Sequence, residues 1–178
     1  MADPVIIDPR LIAALIGAGV ASAGWVFKAW LDKAQDQNRR LERVRDVQTA
    51  LAAEILPYLE VLELFDLTDH LEKVIDKMRA QAGYFPLVPT ERNDTVFRAV
   101  LSEIHVLPEP VIKPVVRYYS QLFAIEALIE DLRGQGVRDL NDDAREAMYT
   151  DYISMKLQAL ELGKNAVAAI DAQLGKRP

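Results

Sequence analysis

By residue type, the groups best suited to hold a metal ion are two histidines, His70 and His105, with the carboxylates of Asp66 and Asp69 beside the first. Zinc and similar cations require ligands that converge from a short repeat, such as two histidines one helical turn apart. Here the imidazoles lie in different segments, and Asp66 to His70 reads as a polar helix start. A second acidic group, Asn141, Asp142, Asp143 and Glu146, lacks calcium-loop spacing and its glycine. Acids in a first turn instead complement the helix dipole. Gly134-Gln135-Gly136 is too short for a phosphate-cradling loop and has no Lys-Ser/Thr ending. Ser120 and Ser154 carry no flanking glycines of a nucleophile elbow. The chain has no cysteine, which removes thiolate catalysis, disulfides and cysteine zinc sites. The residues therefore assign no catalytic group, no cofactor and no metal, and the sequence reads as a non-enzyme.

Four tyrosines, Tyr118, Tyr119, Tyr149 and Tyr152, fall on two long C-terminal helices. Periodicity puts Tyr119 and Tyr152 on apolar faces, with hydroxyls expected to meet Glu126, Asp151 or Lys156. It leaves Tyr118 and Tyr149 off those faces. The competing expectation is a partner-facing aromatic patch, since tyrosine is enriched at interfaces. Glu130, Asp131 and Arg133 read as a solvated helix end.

The elements that must position these groups are helices. Leu41, Val44, Gln48, Leu51, Ile55, Tyr58 and Leu62 alternate at three and four residues, a coiled-coil-like spacing. Gln48 and Pro57 are expected to interrupt that helix. A second helix is expected from Asp69, with Glu72 at capping-box spacing, stopping before Gly83. Tyr84 to Arg92, with two prolines, reads as a loop. Asn93 or Asp94 can cap a short helix carrying Val96, Val100 and Ile104. Val115, Tyr119, Leu122, Ile125, Ile129 and Leu132 line a helix ending at Gly134, and Asn141 caps a last one carrying Met148, Tyr152, Met155, Ala159, Leu162, Ala166 and Ile170. No strand pattern of comparable length appears, so the fold class is all-α, a helical bundle.

Ahead of the bundle, Leu11 to Phe27 is an uncharged apolar run. Asp8 and Pro9 supply the cap and first helical position. The run covers roughly 25 Å, and extension through Lys28 to Leu31 reaches the thickness of a hydrocarbon core. Lys28 can snorkel, and Trp25 and Trp30 are rings suited to an interface. These features predict an N-terminal transmembrane helix continuing into the bundle: residues 1–31 as N-terminal segment and anchor, 32–66 as a juxtamembrane amphipathic helix, 67–178 as the bundle. Lys28, Lys33, Arg39, Arg40, Arg43 and Arg45 follow the run, which predicts an outside N-terminus and a cytoplasmic body at a bacterial inner membrane. Ala13, Gly17, Ala21 and Gly24 share one face, where backbones of a homo-oligomer can approach closely. Two alternatives compete. One is a cleaved secretory signal ending at Ala21-Ser22-Ala23, disfavoured by its acidic leader. The other is a soluble oligomer with the apolar helix buried.

The string Ile104 to Gly134, with Met148-Tyr149-Thr150-Asp151-Tyr152-Ile153-Ser154-Met155-Lys156 and Ala53-Glu54-Ile55, resembles small uncharacterised membrane-anchored helical proteins of alphaproteobacteria and their prophages. The resemblance implies a phage or prophage setting and supplies no catalytic residues. With a formal charge of -6, general nucleic-acid binding is not expected. The expected partners are a lipid bilayer, a second copy through the anchor helix, and a protein not identified by the sequence. The leading expectation is a membrane-tethered interaction or scaffold protein. The alternative is a phage-encoded membrane effector acting in lysis or superinfection exclusion.

Overall fold

The computed structural model describes the backbone of residues 9–175, and the side chains of Trp25, Lys28, Trp30, Asp32, Lys33 and all residues from 35 to 175. The described residues are helical and contain no strand. Five α-helices follow one another: α1 (Pro9–Leu64), α2 (Leu67–Ala80), α3 (Thr95–Val100), α4 (Glu109–Arg133) and α5 (Asp142–Leu174). Two 3-10 turns, Leu101–Val106 and Gln135–Asp139, lead into α4 and α5.

By compactness the chain divides between Arg43 and Val44. The first unit holds the N-terminal part of α1, beginning at Pro9 as its cap-and-proline signal predicts. Trp25 and Trp30 there are 74% and 65% exposed, and Lys28 is exposed. Among the described residues no helix is long and apolar enough to cross a membrane. Apart from Trp25, the expected anchor Leu11–Phe27 lies outside the residues whose side chains are described. So do the side chains of the small-residue ridge, Ala13, Gly17, Ala21 and Gly24.

The second unit contains the core. Burial along α1 starts at Val47 and continues through Leu51, Ala52, Ile55, Leu59 and Leu62, so this stretch packs with the later helices. α4 and α5 pack along each other, and α2 lies on α5. Leu51, Ile55, Val111, Val115, Tyr118 and Tyr119 are fully buried, each aliphatic side chain contributing about 1.5–3 kcal/mol. α5 brings a row of small residues, Ala159, Gly163 and Ala166, all buried. A Cβ at Gly163 would sit 2.4 Å from Leu59 Cδ2 and 3.0 Å from Tyr118 Cε2, so glycine is what lets α5 lie this close to α1 and α4.

Three expectations about elements are corrected. Neither Gln48 nor Pro57 interrupts α1. Ala53, whose carbonyl Pro57 leaves without a helical donor, faces solvent, while Leu51, Ile55 and Leu59 hold the opposite face in the core. The second helix starts at Leu67, not Asp69, because Asp66 accepts from the amides of Thr68 and Asp69. It ends before Gly83, which adopts φ 77°. Asp94 occupies the N-cap position of α3 but gives it no side-chain cap. Glu54 of α1 does so instead, accepting from the amides of Val96 and Phe97. The Asn141 cap forms as expected, accepting from Ala144.

Candidate functional site

The loop after α2, residues 84–94, is pinned across the bundle by one carboxylate. Glu91 accepts from Tyr58 of α1 at 2.8 Å and from Tyr152 of α5 at 3.2 Å, and it pairs with Lys156 one turn further along α5. The ammonium of Lys156 also lies over the Tyr152 and Tyr58 rings, 5.1 and 5.9 Å from their centroids. Both members of the pair are mostly shielded from water. Burial, together with the negative charge of Glu91 and its hydrogen bonds, pushes the Tyr58 and Tyr152 phenols well above the ordinary tyrosine range.

Lys156 and Glu91 stand at the floor of an apolar groove of about 270 Å³. Its walls come from the end of α1 (Val61, Leu62) and Phe65 just after it, the loop (Leu87) and α5 (Tyr149, Ile153). His70 also lines it, its Nε2 3.0 Å from the Tyr149 hydroxyl and its ring 4.8 Å from Phe65. The rim is apolar: Leu87 is 91% exposed, and Val61 and Phe65 are exposed as well. Such a groove offers apolar contact at its rim and a few fixed polar groups at its floor, the usual composition of a recognition pocket.

A second carboxylate organises the far side of the core. Glu54 accepts from Tyr119 at 2.7 Å in addition to the two α3 amides, and Phe97 stacks on Tyr119 with centroids 3.9 Å apart. Burial first, then the Glu54 hydrogen bond and charge, raise the Tyr119 phenol. Tyr118 is raised chiefly by burial, and its hydroxyl is enclosed with no hydrogen-bond partner among the described residues.

The expected core tyrosines, Tyr119 and Tyr152, are buried. Their hydroxyl partners are Glu54 and Glu91, not Glu126 or Asp151; Lys156 shares Glu91 with the Tyr152 hydroxyl and lies over the Tyr152 ring. Tyr118 and Tyr149, expected off the apolar faces, are buried too, at 0% and 3% exposure. The helices α4 and α5 are covered on more than one side, so a single stripe underestimates what they bury. Arg133, expected to be solvated only, donates to the Val88 carbonyl at 3.0 Å. Among the expected anchor residues, Trp25, Lys28 and Trp30 are exposed on α1. Gly17, Ala21 and Gly24 lie on the same helix, with surroundings outside the described residues. His70 and His105 are not brought together, and no group of three metal-binding side chains occurs among the described residues. Glu91, Tyr58 and Glu54 were not singled out as site residues by sequence. Their partners lie dozens of positions away, and only the apolar periodicity of α1, which includes Tyr58, hinted at one of them. Comparison with protein-family profiles, with curated proteins and with solved structures finds no match, so the meaning of this site rests on its own chemistry.

Proposed function

We propose that the chain is a membrane-tethered helical interaction protein, whose body presents the groove over Glu91 and Lys156 to a protein segment with an apolar anchor. The observation that carries this reading is the rim: Val61, Phe65 and Leu87 line one preformed groove and are all exposed. Isolated exposed leucines are ordinary, whereas a contiguous apolar rim marks a surface that gains by being covered. The polar floor is suited to recognition, because Lys156 is tied to Glu91 and flanked by rings, which fixes the charged groups in place. For the tether, support comes from the uncharged run Leu11–Phe27, the basic residues that follow it, and the exposed rings of Trp25 and Trp30. In this reading the body lies at the cytoplasmic face.

The test has two arms. In a bacterial host, the full chain is expected to pellet with membranes and a 9–31 deletion to stay in the supernatant; equal partitioning of the two would sink the tether. A photo-crosslinking residue at position 87 is expected to give a discrete adduct that Phe65→Ser abolishes. Absence of any adduct, or one indifferent to Phe65→Ser, would remove the groove as the interaction surface.

A further inference from the structure

On another side of the loop, three arginines from three different elements line one open groove of about 590 Å³. Arg133 closes α4, Arg138 lies in the 3-10 turn, and Arg145 belongs to the start of α5. No Asp or Glu is among the residues lining it, although the chain as a whole is acidic. Compensation of the three charges is incomplete. Arg145 pairs with Asp142 through one terminal nitrogen, while its Nε is buried and has no hydrogen-bond partner among the described residues. Arg133 gives one nitrogen to the Val88 carbonyl, and among the described residues neither it nor Arg138 pairs with a carboxylate. The remaining wall is largely apolar and includes Phe85, Pro86, Leu87, Val88, Leu132 and Val137.

A guanidinium presents a planar fork of donors that matches an oxyanion, and one fork is enough for a carboxylate. Three arginines lining one groove from separate elements suit a group with more oxygens and more charge. The volume lies in the range of small-molecule sites, and the apolar wall provides room for a substituent on the anion. We propose that this groove binds a phosphate group borne by a molecule with an apolar portion, Arg133 and Arg138 supplying the exposed forks and Arg145 the shielded one. A soluble phosphomonoester and a phospholipid headgroup share this chemistry. The groove shares Leu87 and Val88 with the aromatic one but none of its polar side chains, so variants at the arginines test this proposal without touching the other.

The Nε–Hε resonances of the three arginines in the full chain provide the test, with inorganic phosphate, phenyl phosphate, and vesicles of phosphatidylglycerol or phosphatidylcholine as probes. Saturable shifts of these resonances are expected, with phenyl phosphate binding more tightly than inorganic phosphate. Arg133→Gln and Arg138→Gln, both at exposed positions, are each expected to weaken binding roughly tenfold, the loss of about 1.4 kcal/mol. A response to phosphatidylglycerol vesicles but not to phosphatidylcholine or soluble phosphates, lost in the same variants, would assign the headgroup as the source. Resonances that stay unmoved by every probe, or affinities equal in wild type and both variants, would overturn the proposal.

Discussion

Glu91 receives three donors, two phenols and an ammonium, that the chain delivers from α1 and α5. Removing the acceptor leaves all three without a partner, whereas removing the ammonium leaves a carboxylate still held by two hydroxyls. That asymmetry decides which substitution costs more, because stranding buried polar groups is worse than losing one interaction. Glu91→Ala is expected to destabilise the protein by about 3 kcal/mol, within the range for breaking a shielded ion pair. Lys156→Met, which keeps the packing of the stem, is expected to cost about 1 kcal/mol. Urea denaturation of both variants checks the order; equal losses would mean that the hydroxyl bonds contribute little and the ion pair nearly everything. The same logic explains why this site was hard to read in the chain. Glu91 sits between prolines and polar residues, where a solvated loop carboxylate is the ordinary expectation. Only the meeting of α1 and α5 makes it an acceptor.

Between elements, the tightest constraint is the approach of α5 to α1 and α4 at Gly163. Alanine is the better helix former by about 1 kcal/mol. Its methyl group would nonetheless enter the space of Leu59 Cδ2 and touch the Tyr118 ring, and overpacking of this kind costs about 1–3 kcal/mol. Gly163→Ala is therefore expected to destabilise by about 1 kcal/mol net. Combining it with Leu59→Ala should cost less than the sum of the two changes, since the smaller neighbour makes room. Strict additivity in denaturant midpoints would show that the contact is not what glycine is there to permit. Helix existence was legible in the chain because apolar periodicity and the Asn141 cap act within a few residues. The continuation of α1 through Pro57 was not legible. It depends on whether the freed carbonyl faces water and whether Leu51, Ile55 and Leu59 are held from the other side, both of which are tertiary facts. The α3 cap was missed for the same reason, since its acceptor, Glu54, lies on a different helix.

At the scale of the whole body, the tyrosines link the two carboxylate clusters to the response of the fold to alkali. Tyr58 and Tyr152 are oriented on Glu91, Tyr119 on Glu54, and Tyr118 is enclosed between them; burial is the first cause of the raised phenol in each. An ionised phenolate in any of these places would lose hydration, and three of the four would also face a carboxylate that now has no proton to accept. The folded state therefore keeps these protons at a pH where the unfolded chain releases them, at about pH 10 for a free tyrosine. A raised folded value places the contribution to stability fully below the unfolded value, and that contribution is lost as pH rises beyond it. The urea midpoint is thus expected to be unaffected by the tyrosines up to about pH 9 and to fall steeply above about pH 10. Because several phenols titrate only on unfolding, phenolate absorbance should rise together with the loss of helical circular dichroism. Tyr119→Phe and Tyr152→Phe each remove one ionisable group and should flatten the alkaline slope, while lowering stability at neutral pH by about 1 kcal/mol for the lost hydrogen bond. A phenolate signal that develops fully while the helices remain intact would show that these hydroxyls are open to water, and with it that neither carboxylate cluster closes the core.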